Sequence, residues 1–218
     1  MLVIGHRGAA GLAPENSLAS LQAGFDAGAD MLEFDVRLTR DKVAILSHGA
    51  RLHGKLVRLT KLDDLEAAGS VTTLDAILST FFGRILLNLE IKPATDVKVI
   101  YQAIKKYVVT KEDWNNVLIS SFHVRYLFKL RKLNRHLNLA LLHSINPFAF
   151  VTYQRRLQLS AVGWHRLHVN SLCIQIAQKA GIFTYVYTVN RTEAAQIFSQ
   201  KGIDGVVTDY PNQIASKT

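Results

Sequence analysis

The chain has 218 residues, 49% hydrophobic and 20% charged, and its 26 basic against 17 acidic residues leave a formal net charge of +9. That length supports one substantial core and lies in the size range of a compact α/β barrel, while the lack of a long Pro, Ser or Gly tract argues against a linker or a disordered tail beyond the last few residues. The positive charge suits nucleic acid, an anionic membrane surface or a phosphorylated substrate, and selects none of them.

A single domain over residues 1–218 is expected. No apolar run approaches the length of a membrane span, so stable membrane insertion is not expected. Residues 1–5 run straight into a strand-like segment without a basic and then apolar leader, and the one cysteine, Cys173, has no partner within the chain. The expected compartment is the reducing cytosol.

In chain order, Leu2-Val3-Ile4 is a short buried strand ending in the glycine-flanked turn Gly5-His6-Arg7-Gly8. Asn16 is placed as the N-cap of a helix with apolar residues at Leu18, Leu21 and Phe25, which Gly28 stops. The stretch 31–37 is the next strand, followed by a charged turn at Arg40-Asp41 and by Val43 to Leu46 leading to His48. Residues 49–72 read as an irregular connection with a short helix near Leu62 to Ala68, and Leu74 to Phe81 is helical. The near-continuous apolar run from Arg84 to Pro93 carries the signature of a strand buried on both faces. Helix and strand then alternate: helices over 96–107, 123–134, from about 148, 170–179 and 191–199, and strands over 116–120, 138–142, 161–164, 183–187 and 205–207.

That makes eight strands alternating with helices. The pattern predicts a parallel sheet, closed as a (β/α)₈ TIM barrel, with an open doubly wound sheet as the alternative because the strand near 161 is weak. Chemistry in such barrels sits at the carboxyl ends of the strands. Polar residues gather there: His6-Arg7, Glu33 and Asp35, Glu90 and Lys92, Ser120-Ser121, His143, His165, Tyr187 to Asn190, and Thr208-Asp209.

On the 31–37 strand, Glu33 and Asp35 share one face while Leu32, Phe34 and Val36 pack on the other, because side chains alternate along a strand. Two carboxylates about 7 Å apart among apolar neighbours raise each other's pKa, pair with a cation or coordinate a metal, unless they sit at a solvated strand end. Glu90 supplies a third carboxylate. The three together form an all-oxygen set suited to a hard cation, Mg²⁺ or Ca²⁺, with a metal-free ion-pair network as the alternative. Lys92 falls on the face of Glu90, and Arg7 can fork onto two phosphate oxygens. Either could instead pair structurally with Glu33 or Glu90.

Taken in order, His6-Arg7-Gly8, Pro14-Glu15-Asn16, Glu33-Phe34-Asp35, His48, Leu87 to Lys92, Thr188-Val189-Asn190 and Asp204 to Pro211 resemble the glycerophosphodiester phosphodiesterase family over essentially the whole chain. The resemblance implies a TIM barrel that binds one divalent cation and hydrolyses glycerophosphodiesters to glycerol 3-phosphate and an alcohol. It implies Glu33, Asp35 and Glu90 as metal ligands, Arg7 and Lys92 as phosphate contacts, His6 and His48 as general acid and base, and Tyr187 as an aromatic wall against the substrate. Attack comes either from a substrate hydroxyl, giving a cyclic phosphate that water opens, or from water directly. Because residues 49–72 are short for the family's usual insertion, at most a reduced cap and an open site are expected.

Two departures stand out. Gly49 follows His48 where the family usually has aspartate, and Tyr187 stands where it generally has tryptophan. The other histidines show no HExxH spacing and no neighbouring cysteine, so zinc is not expected. Arg125, Lys129 and Lys132 share a face that reads as the solvated side of an outer helix.

A lipid-acting rival, of lysophospholipase D or sphingomyelinase D type, would carry exposed apolar residues around the mouth. Residues Gly49 to Gly69 offer only leucines and a valine among charges. A catalytically weakened barrel that binds a phosphodiester is the other rival. Nucleic-acid binding has only the net charge behind it and is not expected.

Overall fold

The sheet order follows from the run of apolar strands. In the structure, a computed structural model that describes residues 1–143 and 145–215, eleven strands and nine α-helices are found among the described residues. The expectation for the last few residues lies outside them. The strands are β1 (Leu2–Gly5), β2 (Met31–Leu38), β3 (Ala44–Leu46), β4 (Arg51–Leu52), β5 (Lys55–Leu56), β6 (Leu86–Ile91), β7 (Val117–Ser121), β8 (Asn138–His143), β9 (Ala161–His165), β10 (Phe183–Tyr187) and β11 (Gly205–Thr208). The helices are α1 (Leu18–Asp26), α2 (Leu62–Glu66), α3 (Leu74–Phe81), α4 (Val97–Lys105), α5 (Val124–Leu133), α6 (Ala149–Leu157), α7 (Ser171–Lys179), α8 (Thr192–Gln200) and α9 (Pro211–Ala215).

The sheet runs β1-β11-β10-β9-β8-β7-β6-β2, all parallel, and β1 also pairs with β2 through Ile4 opposite Met31 and Gly5 opposite Leu32. That last pairing closes the ring and removes the open-sheet alternative. The strand near 161 pairs on both sides, with β8 and with β10, so neighbours supply what its weak local pattern lacks.

Two apolar clusters follow from strand alternation. Leu32, Phe34 and Val36 of β2 join Leu87, Leu89 and Ile91 of β6 in the outer cluster beneath the helices. Ile4, Met31, Leu118, Ala140, Leu142, Ala161, Tyr185 and Val207 fill the barrel interior. Above this plug the inward positions turn polar.

Two local expectations change. Val43 to Leu46 is not a plain approach to His48: Ala44–Leu46 pairs antiparallel with the upper end of β2, Val36 opposite Leu46, as an edge strand outside the ring. The connection 49–72 is also more ordered than expected, with the hairpin β4–β5, a short 3-10 turn at Val57–Leu59 and the helix α2, of which Val57 and Leu65 cluster with Ile45. No helix among the described residues is long and apolar enough to cross a membrane.

Candidate active site

The first βα turn must bring α1 close to β1, and Gly8 permits this. Its φ is +88°, and a Cβ there would lie 2.4 Å from the carbonyl carbon of Ser20. Ser17, not Asn16, caps α1: its side chain accepts from the backbone of Ser20, and the hydroxyl of Ser20 returns the bond. Asn16 sits one residue earlier at φ +57°, a conformation that asparagine tolerates better than most residues. Its amide turns inward onto β2. Nδ2 donates to Asp35 Oδ2 and Oδ1 accepts from the Asp35 backbone N–H, both at 2.9 Å.

Glu33, Asp35 and Glu90 converge because β2 and β6 pair in register, Asp35 beside Glu90. Each offers one oxygen within 4.8 Å of the others, the one such group of metal-ligating side chains among the described residues. Glu33 and Asp35 are buried. Burial, reinforced by the charge of Asp35, pushes the Glu33 carboxyl up to about 8, and the same two causes raise Glu90. Burial acts the same way on Asp35, but the ammonium of Lys92, the amide of Asn16 and the Arg7 guanidinium outweigh it and hold Asp35 below the usual range.

The two cations stand against these carboxylates. Lys92 Nζ lies 2.7 Å from Asp35 Oδ1 and also donates to Glu90 Oε1. Arg7 Nη1 donates to Glu15 Oε2 at 2.5 Å, its Nε lies 3.4 Å from Asp35 Oδ2, and its backbone N–H donates to Glu33 Oε2 at 2.9 Å. Arg7 thus pairs through its side chain with Glu15 and Asp35, not with Glu33 or Glu90. Crowded buried carboxylates, two of them holding protons more tightly than usual, form a donor set that a divalent ion would fit and discharge.

The two histidines differ in how they are held. The His6 Nδ1–H donates to Asp209 Oδ1 at 2.5 Å, and Asn190 Nδ2 donates to the other oxygen of Asp209 at 2.6 Å. The chain from Asn190 through Asp209 fixes the ring and leaves Nε2 for the pocket. Burial alone would lower the His6 pKa; the bond to Asp209 and the charge of Glu33 outweigh it, and the net direction is upward. His48 is exposed, and its imidazole makes no hydrogen bond to the described residues. Only its carbonyl is tied, accepting from Arg37 Nη2 at 2.9 Å. Burial of its inner edge lowers its pKa, against the pull of Asp35.

A cavity of about 40 Å³ opens beneath the carboxylates, lined by His6, Glu33, Glu90, Phe122 and Tyr187 among others. Tyr187 Oη donates to the His143 carbonyl at 2.8 Å, and its ring meets Phe122 edge-on at 6.0 Å. Asn88, Ser120 and Tyr185 line the cavity too, and the buried Ser120 hydroxyl has no hydrogen-bond partner among the described residues.

The structure brings His6, Arg7, Glu33, Asp35, Glu90, Lys92 and Tyr187 together, and His48 lies at the rim, near enough for Asp35, Arg7 and Lys92 to act on its pKa. His165 flanks Tyr187 at 6.0 Å between ring centres and does not line the cavity. Sequence reasoning assigned no site role to Glu15, Asn190 or Asp209, and gave Asn16 only that of a helix cap. All four lie within the motifs Pro14-Glu15-Asn16, Thr188-Val189-Asn190 and Thr208-Asp209, and that was the signal available.

A family model described as the glycerophosphoryl diester phosphodiesterase family matches residues 6–213. The glycerophosphodiester phosphodiesterase of Caldanaerobacter subterraneus subsp. tengcongensis is 28% identical over 242 residues, covering 98% of this chain and 96% of its own. Among solved structures, a phosphodiesterase of Oleispira antarctica in complex with the product sn-glycerol-3-phosphate superposes with a TM-score of 0.87 at 24% identity, over 99% of this chain and 96% of that one. A glycerophosphodiester phosphodiesterase of Thermotoga maritima gives 0.86 at 24% identity, over 100% and 98%.

Proposed function

This chain belongs to the glycerophosphoryl diester phosphodiesterase family, and from that premise we propose that it hydrolyses glycerophosphodiesters to glycerol 3-phosphate and an alcohol, as one barrel domain with its site at the carboxyl face. The observation that carries the reading is the set of three carboxylates within 4.8 Å, flanked by two cations and by a histidine held through Asp209.

Glu33, Asp35 and Glu90 would hold one divalent cation, Mg²⁺ or Ca²⁺, which supplies Lewis-acid polarisation of a phosphoryl oxygen. The rest falls to this chain's own groups. Arg7 and Lys92 turn from their carboxylate partners toward the non-bridging oxygens, where charge builds as phosphorus is attacked. His6 presents Nε2 to the reacting centre with its ring set by Asp209. Its raised pKa suits the protonated form that gives a proton to the leaving alkoxide. His48, shifted the other way, suits the neutral form that takes a proton from the attacking hydroxyl. Tyr187 and Phe122 close one side of the cavity against the substrate's carbon skeleton. Cys173 is free and buried, which accords with the cytosolic setting proposed for the chain.

The test incubates pure protein with glycerophosphocholine and with glycerophosphoethanolamine, in Mg²⁺ or Ca²⁺ and then in excess chelator, while glycerol 3-phosphate is followed. Metal-dependent product is expected. Folded protein that releases none with any divalent ion would overturn the activity.

A further inference from the structure

Exposed apolar side chains cluster at one end of the barrel. Among the described residues, Phe122, Ile145, Val151, Leu167 and Leu172 all lie in the loops after β7, β8 and β9 or in the first turns of the helices that follow, at the carboxyl face. Ile145 is 78% exposed and Leu167 72%. At the opposite end of the barrel, Val109 is the large hydrophobic residue that is exposed among the described residues. The mouth is therefore uneven: the half on β1, β2 and β6 carries the charged cluster, with Leu12 and Leu18 each 43% exposed after β1, and the other half carries the more exposed tips Ile145 and Leu167.

The apolar tips are held in place. Trp164 Nε1 donates to the Pro147 carbonyl at 2.9 Å beneath the loop that carries Ile145, and Asn146 Oδ1 accepts from the Phe148 backbone. Arg166 Nη1 donates to the Thr188 carbonyl at 2.7 Å, tying the loop of Leu167 to the next one, and the His168 backbone N–H donates back to His165. The rings of Phe122, Tyr187 and His165 run from the cavity out to this rim in two edge-on contacts of 6.0 Å.

Charge names the occupant. Residues 122–123, 145–148, 166–170 and 188–191, in the loops after β7 to β10, contain Arg166 and Arg191 but no aspartate or glutamate; the first turns of the helices that follow add Arg125 and one acid, Glu193, and the chain as a whole carries +9. Large apolar tips set among three arginines and a single acid complement a surface that is anionic outside and apolar within. We propose that this sector of the mouth docks the enzyme peripherally on an anionic lipid bilayer, with Ile145 and Leu167 entering the interface. The active site then faces the membrane surface. This goes beyond the hydrolytic reading and does not depend on it.

The experiment is co-sedimentation of the full chain with vesicles of phosphatidylglycerol and phosphatidylcholine in equal parts, and with phosphatidylcholine alone, at about 0.15 M salt, where unfocused long-range charge attraction is screened. Wild type is expected to partition onto the anionic vesicles. The double variant Ile145→Ser, Leu167→Ser is expected to lose roughly tenfold or more of that partitioning. Val109→Ser, at the far end, is expected to keep it, and turnover of soluble glycerophosphocholine should be the same in all three. A Leu167→Trp variant should shift its emission to the blue on anionic vesicles. No partitioning of wild type, or a double variant that binds as wild type does, overturns the proposal; so does an equal loss in Val109→Ser. Because sedimentation is read without catalysis, failure of the docking surface and failure of the activity are separate results.

Discussion

Replacing Glu33 by glutamine removes a charge that the barrel is costly to bury. Without metal, the Glu33 carboxyl titrates at about 8 in the folded chain against its ordinary 4.5, so the folded state binds that proton more tightly than the unfolded one. For an acid shifted upward, stability is unaffected below 4.5 and is lost as pH rises toward 8. At about 1.4 kcal/mol per pH unit, the loss reaches on the order of 3 kcal/mol at neutrality and 5 kcal/mol above pH 8. For a domain of this size, 3 kcal/mol corresponds to roughly 10 °C in Tm. Glu33→Gln keeps the shape and the hydrogen bond from the Arg7 backbone, and has no proton to lose. In excess chelator its Tm should therefore fall less steeply from pH 5 to 9 than that of the wild type, the remaining slope coming from groups such as Glu90 and His6 whose pKa values are also raised. Added Mg²⁺ or Ca²⁺ should raise the wild-type Tm and leave the variant's almost unchanged, and the variant should lack metal-dependent turnover. Parallel Tm–pH curves for the two proteins would refute the claim that burial and Asp35 load Glu33; near wild-type activity would refute its place as a ligand.

Asp209→Asn should lower kcat by about 10²- to 10⁴-fold, because it reverses the bond that orients the His6 ring. With the carboxylate gone, burial lowers the His6 pKa, so the alkaline limb of the kcat profile should move to lower pH; an unmoved limb would remove His6 as the acid. Asn16→Ala should weaken divalent-ion affinity about 10- to 100-fold by isothermal titration, since it strips two hydrogen bonds from Asp35; unchanged affinity would confine Asn16 to a packing role. Gly49→Asp should raise kcat severalfold by giving the His48 imidazole a carboxylate neighbour. The new Cβ would stand 3.1 Å from the Arg51 carbonyl oxygen, so a loss of a few degrees in Tm is expected alongside. No gain in kcat would mean that His48 works without an anchor.

The carboxylates were legible because their geometry is local. Alternation puts Glu33 and Asp35 on one face, and a second apolar strand ending in Glu90 brings the third. The parallel ring was legible for the same reason: strand and helix periods alternate along the chain. What stayed hidden depends on pairings between distant segments. Asp209 is 203 residues from His6 and becomes its partner only because β11 lies beside β1. Asn16 has the residue type of a helix cap, and only the position of β2 shows that its amide serves Asp35 while Ser17 does the capping. The edge strand Ala44–Leu46 is set by the extra length of β2, which no local period records.

The seam between β1 and β11 also sets an order of events at the ribosome. His6 is made 203 residues before Asp209, the carboxylate that holds its ring, which directly follows β11. A nascent chain long enough to have assembled the acidic cluster from β2 and β6 still has an unset histidine. A chain that stops short of Asp209 would carry the acidic cluster without the carboxylate that holds His6, and without β11 to close the ring.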